Sequence, residues 1–381
     1  MRTRSFPAAA IFFALTLGCR AESKPPAVGA ALDREAVISE ELRISGEQAN
    51  LAPINWVSLA PNGTLAVSQR FDQTARLFSV SGDDLGSIGG RGSGPGEFGL
   101  IGEGGWIHDT IWLRDSNPRR ITFFTEAGSL VRVISEPAPT GLSTIATWGV
   151  LPDRSIIAIV PPAIEDFFTG FYPDAVVARV SEQGEIQKTL AVVSFGHDRI
   201  RSQSGTLLFL PFPERLFLDF SSDGGLFAAA TPTLTGVEAG TFGLTVWNAD
   251  GDTVFTRRHP FTRRSISKTV ADSVLDVFGK RAESSGHAEL FTFYQRVARV
   301  PEFLPPLEKL LLGEDGTVWV TEVPDSGLRR IMAISPTGEP LGSLHLPATS
   351  RLMAADDGRI WVIEEDLLGV ESLVRYAVEW P

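Results

Sequence analysis

Carboxylate and amide side chains recur at one position of this chain. Gln69, Asp115, Glu322 and Glu364 each sit at the end of an apolar run that follows a tight turn. Oxygen donors gathered from several such ends would hold a hard divalent cation such as calcium, or grip a polar ligand. The plainer alternative is a set of solvated carboxylates at loop edges. The segment DFFTGFY at 166–172 places four aromatics in one loop, Phe171 and Tyr172 among them. That composition suits a contact surface, or a loop tucked into its own sheet. Arg199 and Arg201, with Arg257, Arg258, Arg263 and Arg264, bring local positive charge suited to carboxylates. Spacing argues against other chemistries. The five histidines show no metal-ligand spacing, and no Gly-x-Ser-x-Gly elbow is present. Gly89–Gly96 lacks the Lys-Ser/Thr ending of a phosphate loop, and no helical pattern follows it.

The elements that must position these groups are read best at 309–345, KLLLGEDGTVWVTEVPDSGLRRIMAISPTGEPLGSLH. Four short strands are separated by a turn at Gly316, a loop at 324–327 and a turn at Gly338. Glycine supplies the positive φ that tight hairpin turns require. Such a four-stranded meander is one propeller blade. The same paired turns recur at Asn62-Gly63 and Gly82, His108-Asp109 and Gly128, Pro152-Asp153 and Gly184, Asp223-Gly224 and Asp250-Gly251. A last first turn, Asp357-Gly358, has no second turn after it. The sixth copy therefore lacks a fourth strand, and the run 36–44, AVISEELRI, is predicted to supply it and close the ring. The expected fold is all-β: a six-bladed β-propeller of four-stranded antiparallel blades.

Alternate connections of a meander lie on opposite faces of the ring. The first-to-second and third-to-fourth turns are tight. The long segments 89–100, 161–174, 195–213, 232–241 and 260–306 all belong to the other face. Binding residues are expected there, on loops held by a rigid scaffold. Within the last of these segments the period changes. Ser267 is a candidate N-cap, Val270, Val274, Val277 and Phe278 recur at helical spacing, and Gly279 is a candidate stop. A second helix is expected over 287–297, with Tyr294 facing inward if the pair caps the channel. Together they form a small helical insertion before blade five, about 265–299.

The chain has 381 residues, 43% hydrophobic, with a formal net charge of −12. A core is available, and the acidic balance argues against nucleic acid. No stretch after the N-terminus approaches the roughly 20 apolar residues of a membrane span. At the N-terminus, Arg2 and Arg4 precede a short apolar stretch that ends at Thr16-Leu17-Gly18-Cys19, and Cys19 is the single cysteine.

Two resemblances follow from these residues. GGRGSGPGEF at 89–98 and the repeated layout of turn glycines and apolar-Trp-Val runs resemble NHL-type six-bladed propellers. PEFLPPLEKLLLGEDGTVWV at 301–320 resembles a segment of bacterial six-bladed propeller lipoproteins of unassigned function. The N-terminus resembles a lipoprotein signal with Cys19 as lipid acceptor, although Thr16 stands where that pattern prefers Leu. The resemblance implies a signal peptide and acceptor cysteine at 1–19, a tether at 20–32 and the propeller at 33–381. It implies a monomer anchored in the cell envelope, at the outer membrane and facing the periplasm or the cell surface. The expected function is binding of a small ligand or an envelope protein, with no cofactor. Candidate residues are Gln69, Asp115, Phe171, Tyr172, Arg199, Arg201, Tyr294, Glu322 and Glu364. The alternative is a hydrolase or lyase at the channel mouth using a bound divalent cation, as six-bladed lactonases do with acidic and amide residues there.

Overall fold

The computed structural model describes residues 34–51, 53–139, 145–161, 174–194, 199–201, 207–284 and 300–381. The chain enters with β1 (Val37–Ile44) and then builds blades in order. Blade one is β2 (Ile54–Leu59), β3 (Leu65–Gln69), β4 (Thr74–Phe78) and β5 (Asp84–Gly89). Blade two is β6 (Ile101–Ile107), β7 (Thr110–Ser116), β8 (Arg119–Thr125) and β9 (Leu130–Ser135), and blade three is β10 (Ala146–Val150), β11 (Ile156–Val160), β12 (Ala175–Val180) and β13 (Ile186–Val193). A ribbon of β14 (Arg199–Arg201) and β15 (Leu207–Phe209) stands in the next crossing. Blade four is β16 (Phe217–Phe220), β17 (Leu226–Thr233), β18 (Thr241–Asn248) and β19 (Thr253–Pro260). After helix α1 (Lys268–Ser284) comes blade five: β20 (Leu307–Leu312), β21 (Val318–Glu322), β22 (Leu328–Ile334) and β23 (Pro340–Pro347). Blade six is β24 (Arg351–Asp356), β25 (Arg359–Glu365) and β26 (Glu371–Glu379), with β1 as its outermost strand.

The ring closes as the missing fourth strand requires. β1 pairs antiparallel with β26 from Val37↔Glu379 to Ile44↔Leu373. Ion pairs fasten it: Arg43 to Glu364 at 2.8 Å, and Glu41 to Arg359 and Arg375 at 2.9 and 3.0 Å. The first turns owe their shape to Asx chemistry. Asn62, Asp153, Asp223 and Asp315 each accept a hydrogen bond from the backbone N–H two residues on, which stabilises a turn locally. The core lies between neighbouring blades. In each blade the apolar residues of alternate strand positions face one neighbour or the other, as in the cluster of Leu311, Trp319 and Ile331 against Leu352, Ile360 and Val362.

The insertion differs in detail from its expected form. Ser267 does cap the helix, its Oγ accepting from Val270 N at 3.2 Å. The helix then runs through Gly279 to Ser284. Gly279 is buried rather than terminal, and the inward face is Ala271, Val274, Leu275 and Phe278, while Val270 and Val277 are exposed. Burial of this turn outweighs the tendency of glycine to end a helix, and the helix continues. The second expected helix, with Tyr294, lies outside the described residues.

Candidate functional site in the central channel

The strand-end acids and amide are held to the protein itself. Asp115 is 0% exposed and accepts from the backbone N–H of Gly99, Leu100 and Asn117 at 2.9–3.1 Å, with Arg120 Nε at 3.3 Å. It therefore clamps the crossing from blade one to blade two. Glu322 accepts from Thr262 N at 3.1 Å and from Arg330 at 3.0 Å, so it clamps the crossing that leaves blade four. Gln69 donates to Asn50 O at 3.4 Å, on the way from β1 into blade one. Glu364 accepts from Arg43 and from the Tyr376 hydroxyl at 2.8 and 2.5 Å and fastens the closing strand. These four belong to second strands of four different blades, and none of them lines the channel cavity. Arg199 and Arg201 lie on β14. Phe171, Tyr172, Tyr294 and Cys19 lie outside the described residues.

The channel is built from the first strand of each blade. It encloses a cavity of about 470 Å³. Its walls include Trp56 of β2, Glu103 and Gly104 of β6, Trp148 of β10, Asp219 of β16, Lys309 of β20 and Met353 of β24. Trp148 stacks on Phe220 at 4.9 Å, the first step of an aromatic stack that continues through Phe227 to Trp247 and stiffens the wall of blade four.

One end of the channel is plugged. The first turn of blade four folds inward, and Ser222 meets three other blades. Ser58 of blade one donates to Ser222 Oγ at 2.8 Å, and the Ser222 hydroxyl donates in turn to Glu314 of blade five. Ser222 N also donates to Glu314 at 3.1 Å, and Ser222 O accepts from Trp106 N of blade two at 3.0 Å. Gly105 permits this approach, because a Cβ there would stand 2.2 Å from Ser222 O. The plug lies on the face of tight turns. The cavity extends past Asn55 and Glu308, at the starts of the first strands, which belong to the loop-rich face. The channel is thus a well that opens where the long connections lie.

Its ionisable groups are perturbed. Asp219 accepts from Leu312 N at 2.7 Å, and burial pushes its carboxyl up to about 6 despite that bond and the nearby Lys309 charge. Burial also pushes Glu314 up to about 7; the Ser222 bonds oppose the shift, while Asp223 and Asp356 add repulsion. Lys309 is held below the ordinary lysine value, first by burial, with Asp219 opposing and Arg351 and Arg329 adding repulsion. Both Lys309 and Glu314 keep some surface open to the cavity although protein surrounds them on nearly every side. Aromatic walls with a few placed polar and titratable groups are the usual makings of a small-molecule site. Among the described residues, no three or more His, Cys, Asp or Glu side chains are grouped to hold a metal ion.

These residues were readable in principle. The first strand of a blade lines the channel, so an ionisable residue in the strand before an Asp-Gly turn is the signal to seek. Asp219 in FLDF stands in an otherwise apolar first strand, and Lys309 in LEKLLL stands beside Glu308 in a first strand of leucines. Attention to second-strand ends passes over them.

No protein-family model matches the chain, and no curated protein matches it. Solved structures do. An exported protein from Bacteroides fragilis is 13% identical, covering 93% of this chain and 97% of that one, with a TM-score of 0.48. A member of the DUF4221 family from Bacteroides vulgatus is 11% identical, covering 92% and 99%, with a TM-score of 0.49. Virginiamycin B lyase from Staphylococcus aureus is 11% identical, covering 90% and 99%, with a TM-score of 0.43. Likenesses at this level say nothing of chemistry, and the functional reading rests on the channel.

Proposed function

We propose that the protein is an exported propeller of NHL-like repeat design that binds a small polar molecule in its central well. The observation that carries this reading is the plugged channel. A cavity of about 470 Å³ with a floor at Ser222 and an opening on the loop-rich face holds a molecule and does not pass one through. Asp219 and Lys309 lie on its wall as polar anchors, and Trp56 and Trp148 offer ring surface. The signal-like N-terminus supports export to the envelope, with Cys19 as the lipid acceptor and 20–32 as the tether. Native mass spectrometry of protein isolated without denaturation tests the binding reading. It should show a small molecule at one per chain, lost in Lys309→Met. A wild-type mass equal to the bare chain, with no melting-temperature shift across a library of polar small molecules, would sink it.

A further inference from the structure

Beside the mouth of the well, between blades five and six, is a second niche of about 260 Å³. Its origin is visible in the strand register. A bulge between Leu307 and Lys309 shifts the alternation of β20. Leu307 then joins Leu310 and Leu312 in the core facing blade four, while Lys309 shares the side of Leu311, facing blade six. Lys309 is the direct cross-strand partner of Thr321, which is paired with Ile331, and Arg329 lies two residues before Ile331 on β22. Lys309, Thr321 and Arg329 therefore stand on one face of blade five. Arg351, the first residue of β24, meets them from blade six.

One group in this niche lacks the hydrogen-bond partner that burial normally demands, and a second lacks a paired carboxylate. The Thr321 side chain is 3% exposed, and its Oγ1 has no hydrogen-bond partner among the described residues. Lys309 makes no ion pair among them; its Nζ donates to Leu352 O at 2.6 Å. Orphaned buried polar groups are uncommon because each is costly. The other two cations are paired. Arg329 holds Glu308 in two bonds of 2.9 Å, and Arg351 bonds Glu371 at 2.5 Å from outside the niche. Of the residues that line the niche, Lys309, Arg329 and Arg351 are cations and Glu308 is the one carboxylate, with Glu371 paired to Arg351 from outside and Asp219 acting on the Lys309 charge from the channel side. Asp219 lies deeper in the channel, bonded to Leu312 N.

We propose that this niche is an oxyanion site, with Lys309, Arg351 and the Thr321 hydroxyl as donors to a carboxylate or phosphate group of the ligand. An ammonium, a guanidinium and a hydroxyl on converging strands match the charge and the acceptors of such a group. The proposal rests on the reading that the well binds a small molecule, and it gives that molecule an acidic group held at the mouth.

Titration calorimetry of the full chain at pH 7 tests it, with succinate, inorganic phosphate and neutral glycerol as probes. One anion should bind and glycerol should not; whichever anion binds identifies the group. Thr321→Val should weaken that binding about tenfold, the worth of one hydrogen bond to a charged group. It should leave the melting temperature unchanged or raised, since the hydroxyl has no partner to lose. Arg351→Gln, at the rim, should weaken binding similarly, and added salt should weaken it in the wild type. Binding of neither anion, or equal binding by Thr321→Val, overturns the proposal. If a neutral molecule is found in the well while both anions fail, the oxyanion site falls and the binding well stands.

Discussion

Glu314 and Asp219 are carboxyl groups held where charge is costly, and this makes stability depend on pH in a definite direction. Glu314 titrates near 7 in the folded protein against an ordinary value of 4.5. Between those values the folded chain holds a proton that the unfolded chain has released. Stability is therefore greatest below the window and falls as pH rises through it. A displacement of that size is on the order of 3 kcal/mol once the pH exceeds 7. Glu314→Gln keeps an oxygen for Ser222 and removes the titration. It should melt higher than wild type at pH 8, with the gap closing by about pH 4.5; a gap independent of pH would contradict the burial account. Asp219→Asn should show the same sign, with its window between 3.8 and about 6. Asp115 is a buried carboxylate that accepts from backbone amides and pairs with Arg120. Asp115→Ala leaves those donors unpaired and should cost about 3–5 kcal/mol in chemical denaturation. A loss under about 1 kcal/mol would show that the crossing loop holds its shape without the clamp.

At the scale of elements, the closing strand carries the sharpest prediction. β1 supplies the outer edge of blade six, and Ala36 N and Arg34 O also bond Ser343 of blade five. Removing residues 34–44 should expose the β26 edge and give broad, non-cooperative melting with aggregation in sedimentation. A monomeric truncation with an unchanged melt would contradict this. Closure was legible because a count of turns leaves one strand missing and one strand-like run unpaired. Blade order was legible from Asn62, Asp223, Asp315 and their following glycines, since turn chemistry is local. The site was less legible. Gln69, Asp115, Glu322 and Glu364 stand out by type and position, yet their partners lie in crossing loops that sequence spacing does not locate. Lys309 and Thr321 pair in regular register from the turn at Gly316, but the niche beside them depends on a bulge that turns Leu307 away and on Arg351 of the next blade, and Ser222 reaches Ser58 only across the assembled ring. Gly279 misleads for the same reason: packing of the helix outweighs the local tendency of glycine to end it.

At the scale of the whole molecule, the ring has two unlike ends. The face of tight turns is closed by Ser222 and bordered by acids: Asp223 and Asp356 add to the shift of Glu314, and Asp315 and Asp357 repel Asp356 in turn. The face of long crossings holds the opening, so a ligand must enter there. Asn55 is exposed at that mouth and lines both cavities. Glu339 is exposed on a turn of the opposite face. The most direct test compares Asn55→Trp with Glu339→Trp in calorimetric binding of the small molecule recovered from the wild-type protein. Asn55→Trp should lose at least about tenfold in affinity, or 1.4 kcal/mol, with its melting temperature unchanged, while Glu339→Trp binds as wild type does. Equal binding by Asn55→Trp, or loss confined to Glu339→Trp, would contradict the claim that the well opens on the loop-rich face and holds the ligand.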